Sequence, residues 1–340
     1  MKQATGRYQL MGLNISPYTM KVLSYLKFKG LDYEWMTRSM KNEKLFQKHA
    51  QVQLIPLLFF PDGETMQDST PMIERLEDAH PDPTIHPDDE ALWYLSCLFE
   101  EFGDEWCNKL MFFQRWFYPP DAKNTSRRIV YYRLEGKWWR PLALPILSRL
   151  MVRRMVPRLS FAGANETNIP HLQKSWEDLC AMLDAHFATR PYLLGGRPSF
   201  GDFGLWCNYY QAWTDPTAKA YMKANAPNLV AYIERMQEPS VEGGFETLEG
   251  LLLTLKPILR TEMSERFLPW MVANQNAFAA GEKETSLTMK GAPFKQKTFK
   301  YQAGTLDELR CKLEKVSSNT ALMDLLEETG CLPFLRRATA

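Results

Sequence analysis

The sequence predicts an α/β domain with a mixed sheet over residues 7–80, an all-α domain over residues 90–262 and a C-terminal extension over residues 263–340. Three observations predict it. Short apolar runs of strand character alternate with helix-like segments through the first eighty residues. A proline-rich acidic stretch, 80–89, then interrupts the chain, and few contacts are expected to cross such a segment. Beyond it the strand signals stop, and apolar residues recur at helical spacing for most of the remaining length. At 340 residues the chain can bury two cores.

Taken in order, Tyr8–Leu13 alternates weakly and reads as a short buried strand. Ser16 followed by Pro17 is a cap and first-turn pair. Val22, Leu23 and Leu26 continue at helical spacing, and Gly30 ends the helix. Leu31–Thr37 alternates as a second strand, and residues 40–50 form a weaker second helix. The apolar run Leu54–Phe60 is split by Pro56, which suits a strand entrance because proline has no N–H for a central ladder. Pro61-Asp62-Gly63 is a turn between two short strands. Asp68, Ser69 and Thr70 offer cap side chains, and Pro71, Ile73 and Leu76 carry the helix that follows. Strand, helix, strand, helix, strand, strand, helix is the order of a thioredoxin-like domain.

Residues 81–89, with Pro81, Pro83 and Pro87, are the expected linker. Residues 91–118 read as one long aromatic helix that Gly103 bends, and further helices are expected near 170–189, 201–213 and 227–236. Ser199-Phe200-Gly201-Asp202 resembles a capping box with Asp as its acid, a structural role. From Lys137 to Arg158 there are six basic residues and no acidic one, interleaved with Trp and aliphatic side chains. Such a segment suits a membrane surface or a substrate cover. Pro141, Pro145 and Pro157 argue against one continuous surface helix and for a packed helical pair with a basic outer face. In the extension, a hairpin is expected over 287–299 with Lys290-Gly291 near its turn, and Thr305-Leu306-Asp307-Glu308 is a full capping box for a last amphipathic helix.

Composition narrows the function. Lys plus Arg number 41 against 40 for Asp plus Glu, so no global charge points to a nucleic acid. The six cysteines are scattered without Cys-x-x-Cys spacing, which predicts free thiols in a reducing compartment. Met1–Asn14 has no apolar core of signal-peptide length, and no run approaches the ~20 apolar residues that span a bilayer. The expectation is a cytoplasmic protein. The five histidines show no metal-ligand spacing, and no phosphate loop, nucleophile elbow or dinucleotide fingerprint is present.

Several pieces in order resemble the cytosolic glutathione transferase superfamily. They are Ser16-Pro17-Tyr18-Thr19-Met20-Lys21-Val22, Leu54-Ile55-Pro56-Leu57-Leu58, Asp62-Gly63, Gln67-Asp68-Ser69, and Arg190-Pro191-Tyr192-Leu193-Leu194-Gly195-Gly196 with Ser199 and Asp202. The resemblance covers about residues 7–250 and looks closest to bacterial members of the serine or cysteine type, with an omega-like or zeta-like N-terminal motif. It implies glutathione as co-substrate. Ile55 would pair its backbone with the cysteinyl part beside a cis Pro56, and Asp68 and Ser69 would hold the γ-glutamyl end. Ser16 would be the catalytic hydroxyl, with Tyr18 and Asn14 as reserves. A homodimer and attack on a hydrophobic electrophile are implied as well. Trp106, Phe112, Phe113 and Trp116 lie where the family places its electrophile pocket, although an aromatic stripe at helical spacing is more often core. Plain N-capping by Ser16, Asp68 and Ser69 stays open beside these roles, as does a non-catalytic glutathione- or protein-binding member of the same fold.

Overall fold

The computed structural model describes residues 6–337; the first five residues of the Met1–Asn14 segment and the last three of the C-terminal extension lie outside them. Strand β1 (Tyr8–Gly12) leads into helix α1 (Pro17–Phe28), the crossover that a parallel partner requires, and β2 (Tyr33–Thr37) then pairs with β1 in parallel. After α2 (Glu43–His49), β3 (Leu57–Phe59) pairs antiparallel with β1, setting Leu10 opposite Leu58. The Pro61-Asp62-Gly63 turn, with Gly63 at φ 84°, reverses the chain into β4 (Thr65–Gln67), giving the order β2-β1-β3-β4. Helix α3 (Ser69–Ala79) follows. Alternation along the strands sorts the two faces: Leu10 and Leu58 join Val22, Leu26, Ile73 and Leu76 in the main core, while Met11, Leu57 and Phe59 enclose Phe46 of α2.

The helical part comprises α4 (Glu90–Phe102), α5 (Asn108–Phe117), α6 (Pro119–Arg133), α7 (Arg140–Met155), α8 (Ile169–Phe187), α9 (Phe200–Trp213), α10 (Pro216–Asn225), α11 (Pro227–Arg235), α12 (Leu248–Ile258) and α13 (Leu268–Ala279). Gly103 was expected to bend a helix. Instead it opens a π-helical segment, Gly103–Cys107, that joins α4 to α5. Its lack of a side chain serves packing: a Cβ there would lie 2.3 Å from the Gly204 carbonyl carbon on α9. The Asp202 carboxylate accepts from the N–H and hydroxyl of Ser199 and from the Leu193 N–H, all within 2.8 Å, so the structural reading of that box stands.

Two expectations are corrected. Helix α7 runs unbroken through Pro145; the proline sits in the second turn and removes one hydrogen bond near the helix start, which packing against α6 tolerates. In the extension, β5 (Glu284–Met289) and β6 (Ala292–Lys297) form the expected hairpin, with Lys290 and Gly291 both at positive φ. The next helix, α14 (Lys300–Lys315), starts five residues before Thr305. The cause is tertiary: Asn274 of α13 bonds both the N–H and the carbonyl of Phe299, at 2.9 and 2.8 Å, and fixes the chain where the helix begins. Helices α15 (Thr320–Glu328) and α16 (Leu332–Leu335) end the described chain. Phe294, Leu306 and Leu309 join the main core, so the extension is packed onto the rest of the molecule. All six cysteines are unpaired, five of them buried. Among the described residues no helix is long and apolar enough to cross a membrane.

Candidate functional site

A cavity of about 770 Å³ opens where the sheet domain, the helical domain and the extension meet. That volume suits a small-molecule site. Its first wall comes from the entrance of β3 and the end of β4: Ile55, Pro56, Gln67, Asp68 and Ser69 all line it, and the Ile55–Pro56 bond is cis. Gln67 fastens the loop ahead of Pro56. Its side-chain oxygen accepts the N–H groups of Gln51 and Val52 at 2.7 and 3.0 Å, and its amide donates to the carbonyls of Val52 and Leu54 at 2.9 and 2.6 Å.

Asp68 caps α3 and is exposed, with φ 76° and ψ 116°. A non-glycine residue held there is strained by about 1–3 kcal/mol, the kind of strain that clusters at ligand clamps. Its carboxylate accepts the Thr70 N–H at 3.4 Å and the Tyr301 hydroxyl at 3.1 Å. Ser69, the buried first residue of α3, puts its N–H and hydroxyl at a helix N-terminus, where an anion is favoured.

The floor belongs to the π-helical segment and α5. Asp104, Glu105, Asn108, Lys109 and Phe112 line it together with Tyr18, whose hydroxyl donates to the Asp104 carbonyl at 3.1 Å. Below this floor the fully buried Lys21 ammonium donates to Glu100, to Asp104 at 2.7 Å and to Thr70 Oγ1 at 3.1 Å, tying α1, α3 and α4 together. Burial would draw the proton off Lys21, but Asp104 and Glu100 outweigh it and hold the amine well above its ordinary value. Burial raises the Asp104 carboxyl, with Lys21 opposing, and raises Glu105, with the 2.7 Å hydrogen bond from Gln302 opposing. Burial lowers Lys109, whose ammonium sits 3.9 Å from the Trp270 ring centroid and donates to Gln296 at 3.0 Å.

Met155 at the end of α7, with Arg158 and Phe161 after it, forms a third wall, and Phe299, Lys300, Tyr301 and Gln302 of the extension a fourth. The chemistry on offer is a carboxylate for an ammonium, a helix start for a carboxylate, strand-entrance backbone for a peptide, and an apolar side from Phe112, Met155, Phe161 and Phe299.

The sequence candidates are not all brought together. Ile55, Pro56, Asp68 and Ser69 share the cavity, while Ser16 is not among its lining residues. Ser16 is half-buried at the N-cap of α1, where its Oγ accepts the Thr19 N–H at 3.3 Å. Its loop is held by Arg115 to the Ile15 carbonyl at 3.0 Å and by Gln211 to the Asn14 carbonyl at 2.9 Å. Tyr18, one of the two reserves, does line the cavity. Asn14 faces a separate 140 Å³ pocket and donates to the Tyr132 hydroxyl at 2.6 Å. Of the aromatic stripe, only Phe112 reaches the cavity, and Trp106, Phe113 and Trp116 are core. Sequence reasoning missed Asp104, Glu105, Lys109, Tyr301 and Gln302. For the acids a signal existed: Glu100, Glu101, Asp104 and Glu105 recur at helical spacing inside an otherwise apolar helix.

Residues 10–84 match the family model described as glutathione S-transferase, N-terminal domain, and residues 166–235 the model described as glutathione S-transferase, C-terminal domain. Mouse and rat glutathione S-transferase omega-1 are each 29% identical over 86 residues, which is 25% of this chain and 35% of theirs; the match thus spans about a third of the curated relatives' length. Among solved structures, a beta-etherase from Sphingobium sp. strain SYK-6 aligns over 68% of this chain and 94% of its own, at 19% identity and a TM-score of 0.48. A glutathione S-transferase from Methylobacillus flagellatus KT, solved with glutathione bound, aligns over 68% and 95%, at 18% identity and a TM-score of 0.40.

Proposed function

Since the chain belongs to the cytosolic glutathione transferase superfamily, we propose that it binds glutathione in the 770 Å³ cavity and activates the thiolate for attack on a hydrophobic electrophile. The observation that carries this reading is the joint lining of one cavity by Ile55, Pro56, Asp68 and Ser69 and by the apolar side chains Phe112, Met155 and Phe161. Asp68 takes the γ-glutamyl ammonium, the Ser69 N–H and hydroxyl take the γ-glutamyl carboxylate, and the Ile55 backbone pairs with the cysteinyl unit. The apolar side holds the electrophile next to the thiol.

Ser16 supplies the thiolate donor. A thiol with a pKa of ~8.5 is mostly protonated at pH 7, and lowering it by about two units takes about 2.7 kcal/mol. A hydrogen bond to a charged group contributes about 1.5–3 kcal/mol, and a helix N-terminus about 0.3–1 more. The hydroxyl of Ser16 accepts from Thr19, which leaves its own proton for the sulfur. Tyr18 is the second reading for this donor, on the specific ground that it lines the cavity while Ser16 does not. Burial raises its phenol well above the ordinary value, so it keeps its proton throughout the working range, and that proton would have to turn from the Asp104 carbonyl, 3.1 Å away, to the sulfur. A serine at position 16 cannot form a mixed disulfide with glutathione, which favours conjugation or ether cleavage over thiol transfer.

The cytoplasm and a homodimer complete the proposal. The test is isothermal titration with glutathione, followed by turnover of a panel of aryl and alkyl electrophiles. Binding with turnover supports the transferase; binding with an unshifted thiol supports the non-catalytic glutathione-binding alternative.

A further inference from the structure

Seven of the exposed large apolar side chains among the described residues lie between Tyr131 and Phe161, on the α6–α7 hairpin and the 3-10 turn after it. Trp138, Leu142, Ile146 and Leu150 are 86%, 74%, 60% and 50% exposed, and they recur every fourth residue, so they share one side of α7 and its entrance. Met151, Val152 and Met155 turn the other way and pack against the core. Arg149, Arg153 and Arg154 are exposed on the same helix and make no ion pair among the described residues, whereas Arg38, Arg75 and Arg235 each have a carboxylate partner. From Pro119 to Arg158 ten residues are basic and two, Glu135 and the buried Asp121, are acidic, in a chain with a formal net charge of +1. The positive charge is therefore concentrated on this hairpin.

We infer that this face docks on an anionic lipid bilayer, with α7 lying in the plane of the interface. Trp138, Leu142, Ile146 and Leu150 enter the acyl boundary, and the arginines reach the headgroup phosphates on their long stems. Charge complementarity selects this occupant. A two-fold contact whose axis passes through this face would set its arginines against their own copies without an acid to pair them. The end of the face is shared with the cavity, since Arg158 and the exposed Phe161 line it, so docking brings the cavity mouth to the lipid. Supply of an apolar electrophile from the bilayer rests on the transferase reading; the docking itself does not.

The test is co-sedimentation of the full chain, without glutathione, with vesicles of pure phosphatidylcholine and with vesicles of equal parts phosphatidylcholine and phosphatidylserine. Binding to the anionic vesicles alone, weakened by salt, is expected. Each basic side chain at the surface contributes about fivefold, so Arg149→Gln with Arg153→Gln lowers the partition about twenty-five-fold. Leu142→Ser and Ile146→Ser each lower it about tenfold. Far-ultraviolet circular dichroism and glutathione affinity stay at wild-type values in these variants, which separates lost docking from lost fold or a lost ligand site. Absence of vesicle binding, equal binding to both vesicles, or indifference to the α7 variants overturns the inference. A lipid-free dimer that the α7 variants dissociate also overturns it, because the face is then a self-contact.

Discussion

Replacing Asp68 by Asn isolates one charge in the candidate site. The amide keeps the geometry: its oxygen accepts the Thr70 N–H as the carboxylate does at 3.4 Å, and its NH₂ donates to the Tyr301 oxygen now 3.1 Å away. What disappears is the charge proposed to face the γ-glutamyl ammonium. A hydrogen bond to a charged partner contributes about 1.5–3 kcal/mol against about 0.5–1.5 for a neutral one, so the difference is about 1.4 kcal/mol, or tenfold in Kd. Isothermal titration measures it with glutathione and with the analogue lacking the γ-glutamyl amine. Between the two ligands the wild type loses about tenfold more than Asp68→Asn, which keeps only the neutral hydrogen bond to the amine, so the double cycle closes on the Asp68–ammonium pair. An unchanged glutathione Kd in Asp68→Asn, or an equal loss for both ligands, refutes the assignment.

Three further outcomes follow from the same geometry. Lys21→Met leaves the buried carboxyl groups of Glu100 and Asp104 without their cation and costs about 3–5 kcal/mol in urea unfolding at pH 7. Tyr301→Phe removes the donor that orients Asp68 at 3.1 Å, and glutathione binds about three- to tenfold more weakly by titration; equal or tighter binding would show that the tyrosine competes for the carboxylate. Stability falls between about pH 6.5 and 8. Burial raises the carboxyls of Glu101 and Asp104, and raises Glu262 to about 7, so the native state holds protons the unfolded chain has released, and that advantage is lost as the pH climbs through the folded values. The histidines, all lowered where shifted, His186 to about 4, act in the opposite direction only below their unfolded value near 6.5, and Lys109, lowered to about 7 by burial, opposes the several carboxyls as a single group above pH 7. Each net proton is worth about 1.4 kcal/mol per pH unit, and a melting temperature that rises from pH 6.5 to 8 contradicts the account.

The parts of the site legible in sequence are those whose chemistry is local. Pro56 announces a strand entrance because it lacks an N–H, and Asp68-Ser69 announces a helix start because short polar side chains cap one; both positions line the cavity. Tyr301 and Gln302 were not legible. They reach Asp68 and Glu105 from 233 and 197 residues away, and they do so because Asn274 fixes the chain at Phe299, just ahead of α14, a contact no local pattern encodes. The Thr305 capping box misled for the same reason: once Asn274 fixes Phe299, the helix is already under way at Thr305, whose hydroxyl turns back to the Gln302 carbonyl at 3.3 Å. Gly103 was readable as special but not why, since its need arises from the backbone of Gly204, a hundred residues on. Position 16 shows the limit of local chemistry. A serine before a proline caps a helix wherever it occurs, and only the surrounding fold decides whether its hydroxyl meets a ligand.

The central claim concerns the glutathione thiol. Its thiolate absorbance in the ultraviolet, followed across pH for glutathione bound to the wild type, Ser16→Ala and Tyr18→Phe, tests it most directly. The account predicts a bound thiol that titrates about two pH units below its free value in the wild type and returns toward that value in Ser16→Ala. Return in Tyr18→Phe alone moves the donor two residues along α1. A bound thiol that titrates at its free value in the wild type contradicts thiolate activation altogether.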